Sequence, residues 1–123
     1  MKNELTINGE TYSFNFGFGF MRDMNKTIKT PVQGLNGVTK EVGLKYVIAE
    51  LMDGELEALI RILDAANKGQ EPRLKRSTLE EYIEDEDTNI DELFSTVMDF
   101  LRKANCCKKT VEELEELEKK TKK

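Results

Sequence analysis

Between Asn89 and Lys103 the apolar residues Ile90, Leu93, Phe94, Val97, Met98 and Leu101 recur at i, i+3, i+4, i+7, i+8 and i+11. That spacing is one face of an α-helix, three turns long, and the face must be buried against other elements. Asn89 followed by Glu92 forms a capping-box pattern at the start. Arg102 and Lys103 close the end, where the helix dipole favours cations. The same stretch, Ser77 to Asn105, carries no basic residue before Arg102. It opens with a second capping-box pattern, Ser77 with Glu80, which predicts a short helix over about 77–86 and an acidic corner between the two helices.

The partners for the stripe lie upstream. Leu5 and Ile7 alternate with polar residues, Asn8-Gly9 follows, and Tyr12, Phe14 and Phe16 resume the alternation. Asn-Gly supplies the two positive-φ positions of a type I′ turn, so residues 4–16 are predicted to form a β-hairpin. From Phe16 the period becomes helical, with Phe16, Phe20, Met21, Met24 and Ile28 on one face of a helix over about 17–29. The aromatic alternation that runs on through Phe18 and Phe20 is of a kind that stacks bases in some single-strand binders. No Arg or Lys interleaves with it, so core packing at a strand-to-helix junction is the preferred reading. Pro31, Gly34 and Gly37 read as a mobile surface loop. Two further helices follow over about 39–53 and 55–67, joined by Asp53-Gly54. The first buries Val42, Leu44, Val47, Ile48 and Leu51; the second buries Leu56, Leu59, Ile60, Leu63 and Ala66. Lys68 to Arg76 reads as a solvated, basic connector.

Beyond Asn105 the composition changes. Thr110 with Glu113 repeats the capping pattern, but only Val111, Leu114 and Leu117 are apolar before the lysines at the end. Residues 1–105 are therefore expected to form a single globular domain. Residues 106–123 are expected to be a charged helix or tail of marginal order. The fold class is α+β, mostly α: an N-terminal β-hairpin packed on a bundle of about four to five helices.

Composition excludes several functions. The 123 residues are 35% charged with a formal charge of −5, which opposes general nucleic-acid binding. No apolar run approaches the roughly 18 residues of a bilayer span, and no signal-peptide h-region precedes the hairpin. The absence of His removes His-dependent triads and most zinc hydrolase sites. Cys106 and Cys107 are adjacent, without C-x-x-C spacing, and read as two ordinary thiols in a reducing setting. Gly17-x-Gly19 completes no phosphate loop. Asp85-x-Asp87-x-Asn89-x-Asp91 matches the first four ligand positions of a calcium loop. The match then fails: Ile90 stands where Gly is needed and Thr96 where a bidentate Glu is needed. Asp87, Thr88 and Asn89 are better read as a turn that caps the next helix. The chain is therefore expected to be no enzyme and to use no cofactor and no metal; an interaction protein is the reading.

Laid out in order, the motifs Leu5-Thr6-Ile7-Asn8-Gly9-x-x-Tyr12, Phe16-Gly17-x-x-Phe20, Glu81-Tyr82-Ile83-Glu84-Asp85, Ile90-Asp91-Glu92-Leu93-Phe94 and Lys103-Ala104-Asn105 resemble the tail assembly chaperones of long-tailed phages and prophages of Gram-positive bacteria. Gly43-Leu44 and Ala58-Leu59 fit more loosely. Gly54 follows Asp53 where the pattern places Gly before Asp, and Cys106-Cys107 stand where small or polar residues are expected. The resemblance implies a morphogenesis factor of the host cytoplasm, absent from the mature virion. It implies binding to the tape measure protein and recruitment of major tail tube subunits, in many systems through a longer frameshifted product. Lys119-Lys120 and Lys122-Lys123 are compatible with the A-rich slippery codons such a frameshift uses. No nucleic acid and no membrane are implied, and a homo-oligomer on the client is one arrangement open to the chain. The candidate partner-binding residues are Tyr82, Glu84, Asp85, Asp87, Val111, Leu114 and Leu117. The alternative reading is an acidic interaction module, or a nucleic-acid mimic that inhibits a DNA- or RNA-binding protein through the carboxylates from Glu80 to Asp91.

Overall fold

In a computed structural model, which describes residues 3–121, Asn8 and Gly9 take φ of 53° and 82°. They join β1 (Glu4–Ile7) to β2 (Glu10–Ser13) in the predicted antiparallel hairpin, with Leu5 opposite Tyr12 and Ile7 opposite Glu10. The ladder is shorter than the 4–16 read from the alternation, because the chain leaves β1 after Ser13. Phe14 N–H still bonds Asn3 O (2.9 Å), but Asn15 N–H bonds Ala66 O (2.8 Å) on the third helix. Tyr12, Phe14 and Phe16 are all buried. Phe16 meets Phe20 edge-on at 5.0 Å and Phe100 at 5.8 Å, so these rings are core and not a stacking platform, while Phe18 is exposed.

α1 (Phe18–Asn25) ends four residues earlier than its apolar spacing suggests. The presumed loop is a second hairpin, β3 (Lys29–Pro31) with β4 (Thr39–Glu41), which displaces the start of the next helix from Thr39 to Gly43. Gly34 and Gly37, at φ of 84° and 76°, allow its long turn to reverse, and Val32 N–H bonds Val38 O across it. The two glycines therefore mark a turn inside a hairpin as well as a break in the helix before it.

α2 (Gly43–Met52) begins hard against the end of α1. A Cβ at Gly43 would overlap the Met24 carbonyl oxygen and the Thr27 hydroxyl. The Asn25 side chain accepts from Leu44 N–H (3.1 Å), which supplies the cap that Val42 cannot. The Asp53-Gly54 order has an equally local cause. Gly54, at φ 81°, is the left-handed residue after the helix; its N–H bonds Leu51 O (3.0 Å) and Glu55 N–H bonds Glu50 O (3.1 Å). This Schellman closure lets α3 (Leu56–Asn67) start at once and pack on α2. Leu56 is 45% exposed, so it is not part of the buried stripe as expected.

α4 (Arg76–Glu84) enters from Lys75, which places Ser77 inside the first turn. The Ser77–Glu80 capping box is therefore not formed. Asn89 does cap α5 (Ile90–Lys103), its Oδ1 accepting from Glu92 N–H at 3.0 Å. Ala104, extended at ψ 122°, then redirects the chain into α6 (Asn105–Thr121). Thr110 lies in the middle of α6, so its capping pattern is also unused. The segment expected as a charged helix or tail is helical and carries Cys107 (0% exposed) and Val111 (1%) into the same core as Ile7, Phe16, Leu51 and Leu101. Lys122 and Lys123, part of the lysine-rich end noted above, lie outside the described residues.

The connector after α3 is not the solvated linker that its charge suggests. Asn67 is fully buried. Its Nδ2 donates to Ser13 O (2.9 Å) and Pro72 O (3.3 Å), and its Oδ1 accepts from Leu74 N–H (2.6 Å) and Arg73 Nη1 (2.8 Å). One amide thus fills its whole bonding capacity and ties β2, α3 and the connector together, while Leu74 drops into the core at 1% exposure. Replacing Asn67 by Ala strands the Ser13 carbonyl and the Leu74 N–H in a buried site. Asn67→Ala is expected to lower unfolding stability by about 3 kcal/mol, read as a shift in denaturant midpoint at constant slope.

Candidate functional site

α5 presents two adjacent rows of apolar side chains, each at i, i+4, i+8. Leu93, Val97 and Leu101, at 5%, 0% and 0% exposure, point into the core. Ile90, Phe94 and Met98 form the second row and line a surface groove of about 620 Å³. The opposite wall comes from the α2–α3 corner, through Leu51, Met52, Gly54 and Leu56, and the end is closed by Glu115 and Glu118 of α6. A shallower hollow continues it along α2 and α6, lined by Ala49, Met52, Asp53, Leu114 and Leu117. Leu56 and Leu117 are 45% and 51% exposed, so the lining of this region reaches solvent. The stripe that the sequence shows as one buried face is therefore divided between core and groove. Its width, two full i, i+4 rows, is the feature that marks the division.

α6 is held in place mainly by apolar contact. Arg102 bonds Glu115 through Nε (3.1 Å) and Nη2 (2.8 Å), and Asp99 through Nη1 (2.8 Å). Its bonds to Glu115 raise the guanidinium above its ordinary range, so the clamp stays charged. These side chains are 35–59% exposed, and exposed pairs contribute about 0–1 kcal/mol. Full burial of an aliphatic side chain such as Val111 contributes about 1.5–3 kcal/mol. The ion pairs set the angle of α6 at the mouth of the groove; Cys107 and Val111 hold it there.

The seven residues singled out from the sequence fall in different places. Tyr82, Asp85 and Asp87 line a hollow between the first hairpin and the α4–α5 corner, together with Leu5, Thr88 and Asn89. Glu84 is exposed beside it, at the end of α4. Much of the corner's bonding is internal: Asp85 Oδ1 accepts from Asp87 N–H (2.9 Å) and Tyr82 O from the Thr88 hydroxyl (2.6 Å). Among the described residues no group of three or more acidic or thiol side chains is arranged to hold a metal ion. Leu114 and Leu117 belong to the groove system instead. Val111, 1% exposed, packs in the core and has no surface to offer a partner. The sequence reading did not single out as site candidates Met52, Leu56, Ile90, Phe94 and Met98, which line the groove from two segments distant in sequence, the α2–α3 corner and α5.

These features define a small, mostly helical α+β protein with a surface groove that has an apolar floor and a charged rim. No helix among the described residues is long and apolar enough to cross a membrane. The family model described as phage tail assembly chaperone protein, TAC, matches residues 4–116. The chain belongs to that family. Comparison with curated proteins gives no match, and comparison with solved structures gives none.

The thiols behind the groove wall differ in accessibility. Burial pushes the Cys107 thiol up to about 12, with the neighbouring Cys106 adding to the shift, whereas Cys106 is only half-buried. At pH 8 iodoacetamide should modify Cys106 in the native protein and Cys107 only after denaturation, as read by mass spectrometry. Because the folded state holds this thiol neutral while the unfolded chain ionises it near 9, its contribution is complete below pH 9. It is lost as pH rises from 9 towards 12, by up to about 1.4 kcal/mol per pH unit, and Cys107→Ala should flatten that slope.

Proposed function

We propose that this chain is a tail assembly chaperone that seats a helical, apolar segment of the tape measure protein in the groove between the α2–α3 corner, α5 and α6. Shielding that segment keeps an aggregation-prone client soluble in the host cytoplasm while tail tube subunits are recruited around it, and the chaperone leaves before the virion is complete. The observation that carries this reading is the second apolar row of α5, in which Ile90 and Phe94 are only partly buried and line a surface groove together with the buried Met98, in a member of this family. A holdase needs such a surface: apolar enough to cover a helix face, and bordered by charge that prevents the complex from aggregating. Leu114 and Leu117 extend the contact along α6. Recruitment of the major tail tube protein, directly or through a longer frameshifted product, and assembly of several copies on one client are compatible with this arrangement.

Two substitutions test the groove without threatening the fold. Leu56 is the first residue of α3 and Leu117 is half exposed, so neither position is needed for the core. An Asp at the first position of a helix is itself favourable. Leu56→Asp and Leu117→Asp should each reduce co-purification of the co-expressed tape measure protein by about tenfold or more, with unchanged thermal unfolding. The paired reversal Glu84→Lys with Asp85→Lys at the acidic corner should leave capture intact. Capture lost only in the corner variant would favour the charge-mimic reading instead.

A further inference from the structure

The hollow between the first hairpin and the α4–α5 corner, about 450 Å³, shares no lining residue with the groove. It runs along the edge of β1. Glu4 and Thr6 point to one face of the hairpin and Leu5 to the other, yet all three line the hollow and no residue of β2 does. The backbone of that edge is unused. Phe14 N–H bonds Asn3 O, and pairs in an antiparallel ladder alternate, so Leu5–Tyr12 and Ile7–Glu10 are the bonded pairs. The N–H and C=O groups of Glu4 and Thr6 therefore point away from β2. Among the described residues no hydrogen bond from outside the hairpin takes them up. A row of free donors and acceptors is a template for a further strand. Beside it, Leu5, Tyr82 and Leu93 offer apolar surface, while Glu4, Asp85, Asp87 and Glu92 supply carboxylates. No Lys or Arg among the described residues lines the hollow, and none of these four carboxylates is in an ion pair there.

We infer that this edge docks an extended, basic segment of a partner protein, which adds to the first hairpin as a third strand. Its backbone bonds Glu4 and Thr6, one set of alternating side chains covers Leu5, Tyr82 and Leu93, and its Lys or Arg side chains meet the carboxylates. A second copy of β1 fits less well, because it would bring another Glu4 and another acidic corner to the same place. The site is separate from the helix-binding groove and stands or falls independently of the proposed function.

Two synthetic peptides of about eight residues, about 27 Å long when extended, serve as probes. Both alternate valine with a charged residue, lysine in one and glutamate in the other. Fluorescence anisotropy should show the lysine peptide binding at least about tenfold more tightly, and Asp87→Asn with Glu92→Gln should remove most of that preference. In a docked strand either the lysine or the valine amides face β1. N-methylating one of these two sets should therefore abolish binding and methylating the other should spare it, whereas charge attraction alone is blind to the difference. Thr6→Pro removes an N–H that the hairpin does not use, and should weaken binding by about tenfold or more with unchanged thermal unfolding. If that variant fails to fold, the methylated peptides still decide the matter on the native protein. Equal affinities for the lysine and glutamate peptides overturn the inference, as do equal affinities for the two methylated peptides. Concentration-dependent self-association that excludes both peptides also overturns it, in favour of a second copy. Leu56→Asp should leave peptide binding intact; its loss there would place the peptide in the groove and overturn the edge assignment.

Discussion

One buried amide sets the geometry on which the rest of this structure depends. Asn67, at the end of α3, is enclosed by protein and bonded to both β2 and the connector. A buried polar group is tolerated only when its bonding is complete, and here all four bonds are made, so the positions of β2, α3 and the connector are mutually determined. Fixing the end of β2 directs Phe14 and Phe16 inward, where both meet Phe100 of α5. Leu74 follows the same anchor into the core and delivers α4. The orientation of α5, and so of the row that faces the groove, descends from this contact.

The groove then arises because α5 has more apolar surface than the core absorbs. Leu93, Val97 and Leu101 use the inner row, with Met98 buried beside them; Ile90 and Phe94 are left at the boundary. The tight closure at Asp53-Gly54 brings Met52 and Leu56 opposite them, and the single extended residue Ala104 turns α6 back to close the end. Each boundary is local and cheap to form, one positive-φ glycine and one non-helical alanine. Together they bring three segments into one concave surface.

Much of the architecture was legible because it rests on local rules. Asn8-Gly9 meets the φ demands of its turn, Asn89 caps its helix, and the α5 spacing names the face that packs. The failures were of two kinds. Ser77 and Thr110 have the right neighbours for capping boxes, yet both lie inside helices that begin earlier, at Arg76 and Asn105. The second hairpin, the bonding of Asn67 and the docking of α6 through Cys107 and Val111 depend on partners distant in sequence. No single window displays them. The candidate site divided in the same way. Leu114 and Leu117 stood out as apolar residues on a charged helix, whereas Met52, Leu56 and Phe94 looked like ordinary members of buried stripes. Only the fold shows that those stripes are wider than the core requires.

Side-chain carbene footprinting of the chain, alone and in complex with the tape measure protein, tests the central claim most directly. If the groove seats the client, labelling should fall at Met52, Leu56, Ile90 and Phe94. It should stay constant at Phe18, Leu35 and Val38, which are 61%, 55% and 45% exposed away from the groove. Protection at Phe18, Leu35 and Val38 with unchanged labelling of Leu56 and Phe94 would contradict the assignment.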